Sequence, residues 1–146
     1  MNNALKIYVA SSWRNELQPV IVKNLRLLGH DVYDFRNPAP GDSGFNWSDV
    51  DPKWQTWTRE QYIKCLTNPI VEAGFRSDLV AMKRSDIFIG VMPFGRSASF
   101  EMGWAAGQGK KTILLLEENE RPELMVKLFD HVVCSLEEIA EILMVS

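Results

Sequence analysis

Cysteine and histidine are scarce in this 146-residue chain, at two of each. Cys65 and Cys134 stand far apart, and neither pairs with His30 or His131 at a metal-ligand spacing, so both thiols are read as reduced packing residues. No metal and no cofactor is expected. An excess of positive charge is also missing: 16 basic side chains face 19 acidic ones, a formal charge of -3, which offers no broad footprint for a nucleic acid polymer. No uninterrupted apolar run is long enough to span a bilayer, and Met1 to Ala4 lacks the basic start and apolar core of a signal peptide. A cytoplasmic protein with no membrane partner is therefore expected. There is no Walker loop, no internal repeat and no low-complexity tail. At this length the expectation is a single domain over residues 1–146 with a sizeable core of its own.

What is present is an alternation of short apolar runs with helical patterns. Leu5 to Ala10 reads as a first strand buried on both faces of a parallel sheet. Leu17, Ile21, Leu25 and Leu28 recur at helical spacing, Pro19 must lie in the first turn, and Gly29 is placed to stop the helix. Asp31 to Phe35 reads as a second strand, Ile87 to Met92 as a third, Thr112 to Leu116 as a fourth and Val132-Val133 as a minimal fifth. Trp57 to Leu66 and Ile70 to Lys83 form helices in the long crossover, the second with Val71, Phe75, Leu79 and Met82 on one face. Ser135 with Glu138 is a capping-box signature for a last helix. The alternation predicts an α/β three-layer sandwich around a five-stranded parallel sheet, flavodoxin-like or Rossmann-like, in the order 2-1-3-4-5. In that order the ends of the first and third strands flank the switch point where open α/β sheets bind ligands.

Asp86 to Lys111 is the stretch that concentrates chemistry, a strand, a turn of Pro93, Gly95 and Ser97, and a helix of small residues from about Ala98. Glu101 is expected in that helix's first turn, with Ser97 as the cap, where helix amides would favour an ionised carboxylate fit to act as a nucleophile. An acidic residue there is equally an ordinary dipole partner. Arg96, Ser97 and Ser99, facing Ser11, Ser12 and Arg14 from the first loop, suit an anionic group such as a phosphate, or simply cap and solvate the loops. Tyr8 either reaches a sugar or Glu101, or packs in the core with a structural hydrogen bond. Asp78 reads as a solvated helix residue on spacing alone. Phe45, Trp47, Trp54 and Trp57 lie in or near a long segment rich in Pro, Gly, Asp and Ser, and could stack on a base, cover the sheet or meet a second copy.

Lys6-Ile7-Tyr8-Val9-Ala10-Ser11, Asp78-Leu79, Ser85-Asp86-Ile87 and Ser99-Phe100-Glu101-Met102-Gly103-Trp104-Ala105, with Gly109-Lys110 closing the helix, resemble the nucleoside 2-deoxyribosyltransferase superfamily, which includes the nucleoside 5'-monophosphate N-glycosidases. The resemblance runs in order over most of the chain and is weakest in 36–68 and after Glu117. It implies that Glu101 is the nucleophile, Tyr8 the active-site tyrosine that orients it, and Asp78 the aspartate that contacts the sugar or base. It also implies a covalent glycosyl-enzyme, no cofactor, a small-molecule nucleoside or nucleotide as partner, and a homo-oligomer. Transferases of this superfamily carry a further aspartate where this chain has Gly95, whereas the phosphate-using hydrolases have small or hydroxyl residues there, as Gly95, Ser97 and Ser99 are. Hydrolysis is therefore expected over base exchange, with a transferase or a non-catalytic nucleotide-binding module as the alternatives.

Overall fold

The computed structural model describes residues 3–146; Met1 and Asn2, part of the segment read for a leader, lie outside the described residues. Its strands are β1 (Lys6–Ala10), β2 (Asp31–Tyr33), β3 (Ile87–Val91), β4 (Lys111–Leu115) and β5 (His131–Val133). They form one all-parallel sheet in the order β2-β1-β3-β4-β5, the arrangement the alternating pattern predicts. The chain divides into two compact units, Met1–Tyr33 with Arg84–Ser146, and Asp34–Lys83.

In the first unit the two faces of the sheet differ in chemistry, because successive side chains point opposite ways. One face is aliphatic. Ile7, Val9, Val32, Ile87, Ile89, Val91, Ile113, Leu115 and Val133 pack there against Ile21, Val22 and Leu25 of α1 (Leu17–Leu27) and Ile139 and Leu143 of the last helix (Leu136–Met144). Each such side chain removed from water contributes about 1.5–3 kcal/mol, so this layer dominates the unit's stability. The stripe on α1 is rotated from the expected one: Gln18, Ile21, Val22 and Leu25 are buried, while Leu17 and Leu28 are exposed. Leu17 opens the helix and Leu28 is its C-cap, so both apolar residues stand at its ends. Ser135 caps the last helix by accepting from the Glu138 amide, as its sequence signature implies.

The opposite face is aromatic and small. Tyr8, Tyr33 and Phe88 occupy matching register positions on β1, β2 and β3, and Gly90 lies beyond Phe88. Over this face runs a helix at Arg96–Gly107, which buries Ala98, Met102 and Ala105 and packs on β1, β3 and β4. Gly90 is what permits that approach: a Cβ there would stand 3.0 Å from the Phe94 ring and 3.2 Å from Met102 Cε. At the foot of the sheet the Asp86 amide donates to the Lys6 carbonyl at 2.8 Å, so this turn residue also aligns β1 with β3.

The second unit carries a short helix α2 (Trp47–Val50), a single 3-10 turn at Trp54–Thr56, then α3 (Arg59–Cys65) and α4 (Pro69–Arg84). Thr58 and Gln61 make a reciprocal capping box that starts α3. On α4, Val71 and Met82 are buried as expected, but Phe75 is exposed. In chain order the Arg96–Gly107 helix is α5 and the Leu136–Met144 helix α6. Among the described residues no helix is long and apolar enough to cross a membrane.

Candidate active site

Tyr8 is the residue around which the aromatic face is built. Its ring stacks on Tyr33 at 5.3 Å and on Phe88 at 4.9 Å, and Phe88 in turn meets Trp104 of α5 at 5.9 Å. These contacts follow from register, since parallel pairing sets Tyr33 and Phe88 beside Tyr8. A buried tyrosine needs a partner for its hydroxyl, and here the phenol donates to Oε2 of Glu101. Two of the residues that the sequence singles out are thus in direct contact.

The start of α5 corrects two expectations about Glu101. The N-cap is Gly95, not Ser97, and it offers no side-chain acceptor. Because the helix begins at Arg96, Glu101 stands in its second turn, not its first. The favourable field of a helix end fades within the first turn, so the expected preference for the ionised form is not met. Burial dominates instead and pushes the Glu101 carboxyl up to about 8 from a usual 4.5. The Tyr8 hydrogen bond works the other way, because an O–H donor favours the anion. Ser99 does not cap either: its hydroxyl donates back to the Gly95 carbonyl at 3.0 Å. Arg96 and Ser97 are exposed.

Across the switch point, the loop after β1 is held by its own side chains. Ser11 Oγ donates to the Val91 carbonyl at 2.8 Å, and Ser12 Oγ accepts from the Arg14 amide at 3.2 Å. Arg14 is exposed. Sequence reasoning missed Asn15, which is buried and bonds Ser11, Val91 and Pro93 through its side chain. A signal was there, since an asparagine just ahead of a helical apolar repeat is a polar helix-start residue by type; the N-cap of α1 is Glu16, and Asn15, one residue earlier, accepts through Oδ1 from the Leu17 amide at 3.0 Å.

Asp78 and Trp47 belong to the second unit. Asp78 is partly buried on α4 and engaged, against the solvated position that spacing alone suggests. Trp47 is the hub of an aromatic cluster, with its ring 4.9 Å from Phe45, 5.8 Å from Trp57 and 5.8 Å from Tyr62. The Lys53 amide donates to Asp51 Oδ1 at 2.9 Å and Trp57 Nε1 to Asp51 Oδ2 at 2.8 Å, and these two bonds, the amide's foremost, lower the Asp51 carboxyl. The aromatic side chains of this segment therefore pack on one another while staying partly exposed. Among the described residues no three His, Cys, Asp or Glu side chains converge as a metal site needs. A separate cleft of about 400 Å³ opens by the amino ends of β4 and β5, lined in part by Lys110, Thr112, Asp130 and His131. Lys110 Nζ donates there to the Ser85 carbonyl at 2.6 Å, and Asp130 Oδ2 accepts from the Thr112 amide at 2.9 Å.

No protein-family model and no curated protein matches the sequence. Among solved structures, the chain is similar to the 2-deoxyribosyltransferase of the psychrotolerant bacterium Bacillus psychrosaccharolyticus, with a TM-score of 0.61 at 23% identity over 91% of this chain and 88% of that one. The Clostridium botulinum CMP N-glycosidase BcmB gives a TM-score of 0.49 at 19% identity over 94% of this chain and 96% of that one. The five-stranded order, its flanking helices and the transferase likeness together establish that this chain has the fold of a 2-deoxyribosyltransferase.

Proposed function

We propose that the protein cleaves the N-glycosidic bond of a nucleoside or a nucleoside 5'-monophosphate through a covalent glycosyl-Glu101 intermediate, with hydrolysis favoured. One observation carries the reading: the Tyr8 phenol donates to the Glu101 carboxylate beside the switch point of a deoxyribosyltransferase fold. In the first step a Glu101 oxygen attacks the anomeric carbon while the carbon–nitrogen bond breaks, and the electron pair leaves with the base. The base takes a proton, from Asp78 in this reading. Water then attacks the glycosyl ester, gives its proton to Asp78, and frees Glu101 as a carboxylate. A nearby negative charge stabilises the oxocarbenium-like transition state of both steps. Tyr8 holds the attacking carboxylate in line.

The exposed Arg14, Arg96 and Ser97 are proposed to take a 5'-phosphate, together with the uncapped amides that follow Gly95. Ser11, Ser12 and Ser99 already bond the backbone and would shape the sugar and phosphate pocket. Trp47 is proposed to contact the base. A cytoplasmic location and a homo-oligomer complete the reading, the oligomer supported by Phe100, which is 73% exposed on α5 immediately before Glu101. Sedimentation at micromolar concentration tests the assembly, and a monomer would refute it.

The deciding experiment incubates the protein with ribo- and deoxynucleosides and their 5'-monophosphates, follows free base by chromatography, and repeats the panel with Glu101→Ala. Base release that depends on Glu101 supports the reading; undiminished release in the variant overturns the nucleophile. A new nucleoside formed when a second base is supplied would favour the transferase. Binding without turnover, unchanged by Glu101→Ala, would favour a non-catalytic module.

A further inference from the structure

β1 and β3 are neighbours in the sheet, and at the switch point their chains part in opposite directions, β1 into the loop before α1 and β3 into the loop before α5. Carbonyls at such a fork lose the strand that would have paired with them, and a buried carbonyl needs a donor. The last residue of β3 is Val91, and its carbonyl accepts from Ser11 Oγ at 2.8 Å and from Asn15 Nδ2 at 3.0 Å. Asn15 Nδ2 also bonds Ser11 Oγ at 3.0 Å and reaches the Pro93 carbonyl, two residues before the N-cap of α5, at 3.3 Å. The same side chain turns its Oδ1 to the Leu17 amide at 3.0 Å, and the Asn15 amide donates to the Ser12 carbonyl at 3.0 Å. Only 6% of Asn15 is exposed, so it is no surface residue available to solvent or substrate.

We propose that Asn15 is a positioning residue: one carboxamide ties the loop after β1 to the loop that launches α5, and so sets where Glu101 stands relative to Tyr8. The chemistry requires an amide. The two amino hydrogens are shared among Ser11 Oγ and the Val91 and Pro93 carbonyls, and the oxygen accepts from the Leu17 amide at the start of α1, so neither aspartate nor leucine of similar size can make the set. The Tyr8–Glu101 pair joins the same two elements further along, and a tie at the fork keeps its two halves from drifting apart. Misplacement of a reacting group by about 1 Å costs on the order of a hundredfold in rate. This inference rests on the glycosidase reading for its kinetic half and on geometry alone for the other.

The test uses Asn15→Asp and Asn15→Ala in the full chain, with Ser11→Ala as a milder variant that leaves Asn15 in place. Base release is measured well below each variant's melting temperature. The expected result is a fall in kcat of about a hundredfold for both Asn15 variants with KM changed less than about threefold, and a smaller fall for Ser11→Ala. Amide hydrogen exchange supplies a readout without substrate: segment 92–99 should exchange at least tenfold faster in Asn15→Ala while β4 keeps its protection. Loss of stability with kcat preserved would make Asn15 a structural residue only and overturn the proposal. Unchanged exchange in 92–99 would overturn the tie itself, even if the wild-type protein releases no base and the glycosidase reading falls on its own.

Discussion

Tyr8 and Glu101, 93 residues apart in sequence, meet through one hydrogen bond from the phenol to Oε2. Removing the hydroxyl isolates its effect, because phenylalanine keeps the stack with Tyr33 and Phe88. Tyr8→Phe should lower base release by about ten- to a hundredfold with the melting temperature moved by the equivalent of only about 1 kcal/mol. A loss of activity no larger than twofold would show that Tyr8 serves packing alone.

The rate should follow the protonation of Glu101. With its carboxyl pushed up to about 8, kcat/KM is expected to climb about tenfold per pH unit below that value and level off above it, since the free enzyme's essential base shapes that profile. In Tyr8→Phe the inflection should move further up, because the lost donor favoured the anion. A flat profile between pH 5 and 9 would contradict both the burial and the role.

Folding stability should carry the same signature with the opposite sense. The native carboxyl holds its proton up to about 8, and the unfolded one releases it near 4.5. The native state therefore binds more protons across that window, so its stability contribution is full below 4.5 and declines as pH rises toward 8. Melting curves of Glu101→Gln and wild type should nearly coincide at pH 4 and separate in favour of the variant by pH 8. Parallel curves at every pH would sink the assignment.

Gly95 separates two effects in one residue. A Cβ there meets nothing within 4 Å, so Gly95→Asp adds an N-cap without a clash. The expected gain is a few tenths of a kcal/mol by thermal denaturation. The new carboxylate also sits where a phosphate is proposed, so nucleoside monophosphates should lose more turnover than their nucleosides. Equal loss for both would remove the phosphate from this end of α5.

At Gly90 the added atom has no room. Gly90→Ala puts its methyl 3.0 Å from the Phe94 ring, 3.1 Å from Leu114 Cδ1 and 3.2 Å from Met102 Cε. Overpacking of this kind costs about 1–3 kcal/mol, measurable by urea denaturation. An unperturbed midpoint would mean that the Phe94, Leu114 and Met102 side chains yield to the added methyl without cost.

The five strands were legible in the residues, because hydrophobic periodicity is a local property that a chain displays in one dimension; their order was the arrangement that the alternation of strands and helices favours, and Tyr8 and Glu101 came together as candidates through the family resemblance. The cap at Ser135 belongs to the same class. Phe75 and Leu17 were misread because an apolar residue at the right spacing is buried only where another element covers it. The true start of α5 escaped for a related reason: Gly95 caps by backbone conformation, with no side chain to announce it. Burial decided the rest. Whether a carboxylate is ionised depends on the water around it, and only the packing of α5 on the aromatic face pushed Glu101 upward. Nothing in the sequence marks the carbonyl partners of Asn15, which only the fork between β1 and β3 brings within its reach. The sequence by itself determined the five strands and the longer helices in chain order, while the short helix α2 went unmarked in the segment rich in Pro and Gly. Tertiary structure alone decided which polar groups lose solvent and which partner each then finds, since desolvation and hydrogen-bond geometry depend on neighbours distant along the chain.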